Sequence, residues 1–254
     1  MRVFVTRPES EARRWVDDLA ERGFDALAFP LITILPPLDT KPLQKAWEML
    51  HSYRAAMFVS GNAVRHFFVQ RPTQCSWPAT ARAWATGAGT RNALLECGVD
   101  GAWIDMPPAN AAQFDSEALW EQVATQIHPR DAVLIVRGGG SDGAASGRDW
   151  LADRLAAAGA RVDTVVSYRR APPALDAQQL AQAQAGAAGG VWLFSSSEAI
   201  SHLAKLLPAQ RWTDARAVAT HPRIAAAARR CGFGVVCESR PGLAAVVAVL
   251  ESFR

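Results

Sequence analysis

The side chains best placed to do chemistry are polar residues that follow short apolar runs and precede helical stretches. They are Thr6-Arg7-Pro8, Ser60-Gly61-Asn62, Thr86-Gly87, Arg137-Gly138, Ser195–Ser197 and Thr220-His221-Pro222-Arg223. At such strand ends the next helix presents free backbone amides, which suit an anion. A single loop of this kind is an ordinary capped turn. Six of them, recurring along the chain, suit a ligand that carries many carboxylates. Metal chemistry is not expected. The five histidines (His51, His66, His128, His202, His221) form no metal-binding spacing, and Cys231 and Cys237 are too far apart for a zinc knuckle. A serine hydrolase is disfavoured as well, because no Gly-x-Ser-x-Gly elbow is present. Gly138–Gly143 is a literal Gly-x-Gly-x-x-Gly, with Asp163 placed 20 residues beyond Gly143. Its context fits a dinucleotide poorly. The next helix is expected only near Arg148, and Asp163 begins a strand instead of ending one.

Positioning these loops requires alternating strands and helices. Strands are expected at Val3–Thr6, Ala26–Ile34, Ala55–Val59, Arg82–Ala85, Gly101–Ile104, Ala132–Val136, Arg161–Ser167, Gly190–Phe194, Ala217–Ala219 and Gly234–Cys237. Helical patterns lie between most of them, among them Glu9–Arg22, Ser116–Ile127, Arg148–Ala158 and Leu243–Ser252. In the first helix, Ala12, Trp15, Val16 and Leu19 form the apolar stripe, and Gly23 ends it. This alternation predicts parallel sheets flanked by helices. A weak repeat runs through it. Met57–His66 resembles Leu193–His202, Ala85–Gly98 resembles Ala219–Gly232, and Gly23 and Pro36-Pro37 recur as Gly159 and Pro172-Pro173. Each copy carries a proline-bearing connection, Ile34–Pro42 and Tyr168–Pro173, and these are the expected domain crossings.

Half of the 254 residues are hydrophobic and 20% are charged, enough apolar material for a sizeable core. The net charge of +3 comes from interspersed residues, too mild for a dedicated nucleic-acid binder. No apolar run approaches the ~20 residues of a bilayer span. The chain enters a strand from Met1 without a leader-like segment, and its four cysteines do not suggest a disulfide framework. A cytoplasmic protein without membrane or nucleic-acid partners is expected.

The ordered motifs resemble the uroporphyrinogen-III synthase family over nearly the whole chain. They are Val5-Thr-Arg-Pro8 with Pro30-Leu-Ile32, Phe58-Val-Ser-Gly-Asn-Ala-Val64, Ala85-Thr-Gly87, Val136-Arg-Gly138 with Gly147-Arg148, Val166-Ser-Tyr168, Phe194-Ser-Ser-Ser197 and His221-Pro-Arg-Ile224. The loop Gly139–Ser146 departs from the pattern by being longer and richer in glycine. The resemblance implies an α/β protein of two flavodoxin-like domains with parallel sheets, discontinuous in sequence and joined by two linkers, with the active site in the cleft between them. The corresponding boundaries are 1–35 with 171–254 for one domain and 36–170 for the other.

The implied enzyme cyclises hydroxymethylbilane, a polycarboxylate, to uroporphyrinogen III. Loss of hydroxide gives an azafulvene, attack at a substituted carbon gives a spiro intermediate, and fragmentation with re-closure inverts the last ring. The resemblance implies no cofactor and no metal. Tyr168 is the candidate acid for the departing hydroxyl. Thr6, Arg7, Ser60, Asn62, Ala63, Thr86, Arg137, Arg148, Ser196, Ser197 and His221 are the candidate substrate-binding residues, several through backbone amides. A monomer is expected. Two alternatives stay open from the residues: a nicotinamide-dependent oxidoreductase built on Gly138–Gly143, and a non-catalytic two-domain binder of an anionic ligand.

Overall fold

The computed structural model describes residues 1–254 except Ala109, Ala112, Ser146 and Arg148. The chain divides into two compact units, Met1–Thr33 with Ala171–Arg254, and Ile34–Arg170. The first unit holds β1 (Arg2–Val5), α1 (Glu9–Ala20) and β2 (Asp25–Ala28) from its N-terminal segment. The rest of the chain enters by another strand, β3 (Thr33–Leu35).

The second unit follows with α2 (Lys41–Glu48), β4 (Ala55–Phe58), α3 (Gly61–Val69), β5 (Arg82–Ala85), α4 (Ala88–Glu96), β6 (Ile104–Asp105), α5 (Ser116–Val123), β7 (Ala132–Gly139), α6 (Trp150–Ala157) and β8 (Arg161–Ala171). The chain then returns through α7 (Ala177–Gly186), β9 (Val191–Phe194), α8 (Ser197–Leu206), β10 (Arg216–Ala219), α9 (Pro222–Cys231), β11 (Val235–Glu238) and α10 (Leu243–Glu251).

The first sheet runs β11-β10-β9-β1-β2, with every neighbouring pair parallel. Its strands are near-continuous apolar runs, as a sheet covered on both faces demands. On one face Val3, Val5, Leu193 and Val218 meet Ala12 and Leu19 of α1 and Val246 and Leu250 of α10. On the other, Phe4 stacks on Trp192 at 4.4 Å between ring centroids, with Phe29 and Trp212 edge-on to the indole. Gly23, at φ +74°, lets the chain turn out of α1 where a side chain would be strained.

The second sheet runs β3-β8-β7-β4-β5-β6, and β4 to β8 pair in parallel. Phe58, Trp47, Phe67 and Leu134 fill one face. Met57, Trp84, Leu119 and Leu155 fill the other.

Five strands of each sheet take the doubly wound order 2-1-3-4-5, β2-β1-β9-β10-β11 in one and β8-β7-β4-β5-β6 in the other, where β3 adds an edge strand beside β8. Extended along the strand orders, the repeat seen in the sequence equates β1, β2, β4, β5 and β6 with β7, β8, β9, β10 and β11. Each sheet therefore takes its first two strands from one copy and its last three from the other.

The elements differ from expectation at several joints. The single strand expected at Ala26–Ile34 is split into β2, at the edge of the first sheet, and β3, at the edge of the second, with Pro30 in the stretch between them. The crossings are strands as well. Leu35 ends β3, and β8 continues through Ala171, so Tyr168 lies inside a strand and not on a linker. The proline pairs begin just after these strands. Gly101–Trp103 is a 3₁₀ turn, its start fixed by the Asp100 carboxylate accepting from the Ala102 N–H at 2.9 Å, and β6 follows it. Helix α5 stops at Val123 and passes into a 3₁₀ turn at Ala124–Gln126. Helix α6 starts at Trp150, two residues after the expected start.

Candidate active site

Tyr168 stands where three elements of the second unit meet. In the β7–β8 ladder Arg137 pairs with Val166, but Gly138 pairs with Tyr168, so Ser167 is an extra residue bulged out of register. A bulge re-aims the side chains that follow it. Here it sets the Tyr168 ring over Gly138, where an added β-carbon would lie 2.6 Å from the ring's Cζ. Ser167, fully buried, lies with Oγ 3.2 Å from the Ala63 carbonyl, to which it donates, so β8 is tied to the first turn of α3.

The same turn supplies the partner of the phenol. Ser60 caps α3 by accepting from the Ala63 N–H at 3.2 Å, and its Oγ lies 3.2 Å from the Tyr168 hydroxyl. His66, one turn further along α3, stacks near the phenol ring at 5.9 Å, and burial holds its imidazole below the usual histidine range. Tyr168 is only 4% exposed, so its ring belongs to the core and its hydroxyl has a fixed place.

Asn62 and Ala63 lie in the first turn of α3. Thr86, at the end of β5, donates to the Val59 carbonyl at 3.3 Å, and Gly87 caps α4 with the Phe114 side chain 3.3 Å from where its β-carbon would be. Arg137 does not lie in a loop, as the sequence suggests. It is in β7, because that strand runs on to Gly139. Its guanidinium is buried and pairs with Asp149 at 2.5 Å. Arg148 lies outside the described residues.

The glycine run is explained by the protein's own packing. Gly138 and Gly139 belong to β7; a β-carbon on Gly138 would strike Tyr168, and one on Gly139 would approach the Ala144 carbonyl at 2.8 Å. Gly143, at φ +83°, closes a turn onto the Gly140 carbonyl. The helix begins only at Trp150, so the glycines do not run into a helix N-terminus as a dinucleotide fingerprint requires. Asp163 accepts from the Tyr53 hydroxyl at 2.8 Å near the opposite end of β8, which accounts for its place without a ribose.

In the first unit, Thr6 is buried and donates to the Leu193 carbonyl at 2.6 Å, tying the ends of β1 and β9 together. Arg7 folds back onto α1, 3.2 Å from Glu11 and 4.2 Å over the Trp15 ring. Ser196 caps α8 by accepting from the Glu198 N–H, with Ser197 the first helical residue. His221 caps α9, its Nδ1 accepting from the Arg223 N–H at 3.1 Å.

The predicted residues thus separate into two sets. Ser60, Ala63 and Tyr168 come together at one point, with Arg137 beside them in β7, whereas Thr6, Arg7, Ser196, Ser197 and His221 belong to the first unit. Sequence reading missed Ser167, which looks like one more strand residue in Val165-Val166-Ser167. It also missed the reason for Gly138; the signal was a glycine at a position that had to be read as strand interior. Among the described residues no group of three or more His, Cys, Asp or Glu side chains forms a metal-binding cluster, and no helix is long and apolar enough to cross a membrane.

A family model described as uroporphyrinogen-III synthase HemD matches residues 13–248. The fold is shared with the uroporphyrinogen-III synthetase of Helicobacter pylori, at a TM-score of 0.63 and 16% identity, with 100% of both chains covered. It is shared also with a mutant uroporphyrinogen III synthase from the extremely thermophilic bacterium Thermus thermophilus, at a TM-score of 0.60 and 17% identity, covering 100% of this chain and 98% of that one. Since the family model spans all but the ends of the sequence and the solved structures match along its full length, this chain belongs to the uroporphyrinogen-III synthase family.

Proposed function

We propose that the chain cyclises hydroxymethylbilane to uroporphyrinogen III with loss of water and inversion of ring D. The observation that carries the chemistry is the Tyr168 phenol, fixed by a bulge, a glycine cradle and the Ser60 hydroxyl. Ordinary tyrosine stays protonated at neutral pH and can donate a proton. In this reading Tyr168 donates to the hydroxymethyl oxygen as its C–O bond breaks, so that water leaves and an azafulvene forms. The pyrroles supply the electrons for attack, fragmentation and re-closure. The ring carbon that closes the macrocycle then sheds a proton, which returns to Tyr168. This sequence needs no organic cofactor and no metal. The protein's remaining task is to hold the two ends of the bilane together, which removes entropy from the barrier.

We assign carboxylate binding to the helix N-termini that follow strand ends. In the second unit these are α3 and α4, with Ser60, Asn62, Ala63 and Thr86. In the first unit they are α8 and α9, with Ser196, Ser197 and His221. Thr6, Arg7, Arg137 and Arg148 complete the assignment. Arg7 and Arg137 have carboxylate partners of their own, so they would act mainly by shaping neighbouring amides. The two compact units are the proposed domains, and a cytoplasmic monomer without nucleic-acid or membrane partners is the proposed working form.

A coupled assay with freshly generated hydroxymethylbilane tests the activity. The type III isomer should accumulate faster than type I forms spontaneously. Only type I at the background rate would leave a binder of anionic ligands as the better description.

A further inference from the structure

We propose that Ser60 is a positioning residue that acts through Tyr168, donating a hydrogen bond to the phenolate that forms when Tyr168 gives up its proton. The proposal rests on the acid role of Tyr168 stated above. Four observations on the second unit carry it. Ser60 Oγ and the Tyr168 hydroxyl are 3.2 Å apart, within reach of one hydrogen bond. One lone pair of Ser60 Oγ is already engaged by the Ala63 N–H. Ser60 follows β4 and caps a nine-residue helix, so it sits at the positive end of the helix dipole. The ring itself cannot wander, because Gly138 lies beneath it and the Ser167 bulge is tied to Ala63.

These contacts form a closed circuit. Ala63 gives its N–H to Ser60 and its carbonyl receives the Ser167 hydroxyl, while Ser60 and Ser167 hold the two ends of the Tyr168 side chain and backbone. Either hydroxyl can donate across the 3.2 Å contact, and Ser60 is taken as the donor. When Ser60 is the donor, the phenol proton remains free for the substrate's departing hydroxyl. Donation by Ala63 into Ser60 Oγ polarises the Ser60 O–H and strengthens its own donation, since chained hydrogen bonds reinforce one another. The negative charge then appears on an oxygen that already has a donor and faces a helix N-terminus, the arrangement that favours charge developing in a transition state. The cycle balances. Tyr168 loses its proton to the departing oxygen as the C–O bond breaks, and regains one from the closing ring carbon. Ser60 keeps its own proton throughout.

A double-mutant cycle on turnover tests this with Ser60→Ala, Tyr168→Phe and the pair, each measured for kcat, KM and Tm. Ser60→Ala should lower kcat about tenfold with KM within about twofold, and Ser60→Thr, which keeps the hydroxyl, should recover most of that loss. In the Tyr168→Phe background, Ser60→Ala should change kcat no further, because the oxygen it serves is gone. Ser60→Asp separates capping from donation. Aspartate caps helices well but has no proton to give at neutral pH, so its Tm should match wild type. Its carboxylate raises KM at a site assigned to substrate carboxylates, and kcat at saturating substrate should fall at least as far as that of Ser60→Ala. Equal kcat losses for Ser60→Ala with and without the Tyr168 hydroxyl would overturn the proposal, as would a Ser60→Asp enzyme of normal kcat. A Tyr168→Phe enzyme of normal kcat overturns the acid role and this proposal with it, while leaving the cyclisation assigned above intact. A wild-type chain without type III product is the separate result that removes the cyclisation itself.

Discussion

Tyr168 has two properties that pull in opposite directions for a catalytic group. Its ring is 4% exposed and packed in the core, and its hydroxyl is held beside a helix cap. Tyr168→Phe separates them, because it keeps the ring and deletes the oxygen. General acid assistance contributes about 10²–10⁴-fold. The expected result is therefore a kcat lower by about that factor, with product affinity and Tm close to wild type. A near-normal kcat accompanied by a lower Tm would show the hydroxyl to serve stability alone. His66, stacked on that ring, gives a second prediction. Burial lowers its pKa in the folded chain, so the unfolded chain binds the proton more readily. Stability should then fall as pH drops through about 6.5, and the loss should be complete once pH is below the folded-state midpoint. The drop in Tm between about pH 7.5 and about pH 5.5 should be smaller in His66→Gln than in wild type. An identical drop in both would place the acid sensitivity elsewhere.

Helix caps and apolar strand runs account for most of what could be read from the amino acids in advance. Runs such as Val191–Phe194 and Ala55–Phe58 are apolar throughout and bounded by polar turns, and both are central strands. The strand-end loops were legible for the same reason, since Ser60 and Ser196 are of a type that caps helices, and His221 is followed by Pro222 at the first position of α9. What escaped was non-local. The Ser167 bulge depends on how β8 pairs with β7, and nothing within Val165–Arg169 announces it. The end of β8 was hidden by Pro172-Pro173, which suggested that the strand stopped well before the prolines when it runs to Ala171. Helix α7, which carries none of the residues assigned to the substrate, is a useful control. Asp176 caps it through the Gln179 N–H at 2.8 Å, and the Gln179 side chain returns a bond to the Asp176 N–H at 3.0 Å. Asp176→Ala should lower stability by about 1 kcal/mol, visible as a small fall in Tm, with kcat unchanged. A fall in kcat without a fall in Tm would give α7 a part in the chemistry beyond its capping.

Taken in chain order, the strands read as two copies of a five-stranded unit that have exchanged parts. The exchange separates partners widely in one sheet and hardly at all in the other. In the first sheet β1 pairs with β9, Val3 beside Val191, so the ladder cannot close until the whole second unit has been made. In the second sheet β4 to β8 all fall between Ala55 and Ala171, and both apolar faces are filled from within the second unit, from Leu43 to Tyr168. A contiguous segment with its own core has what independent folding requires, whereas long loop closures slow the pairing of distant strands. A fragment spanning Ile34–Arg170 should therefore unfold cooperatively on heating and show a dispersed amide NMR spectrum. Met1–Thr33 on its own should remain unfolded, because β1 lacks β9 and α1 lacks the α10 face that covers the same side of the sheet. In refolding of the whole chain, protection of the β7 and β4 amides should precede that of β1, readable by pulsed hydrogen exchange. Simultaneous protection of both sheets, or an Ile34–Arg170 fragment without a cooperative transition, would mean that the central unit draws its stability from the segments that flank it.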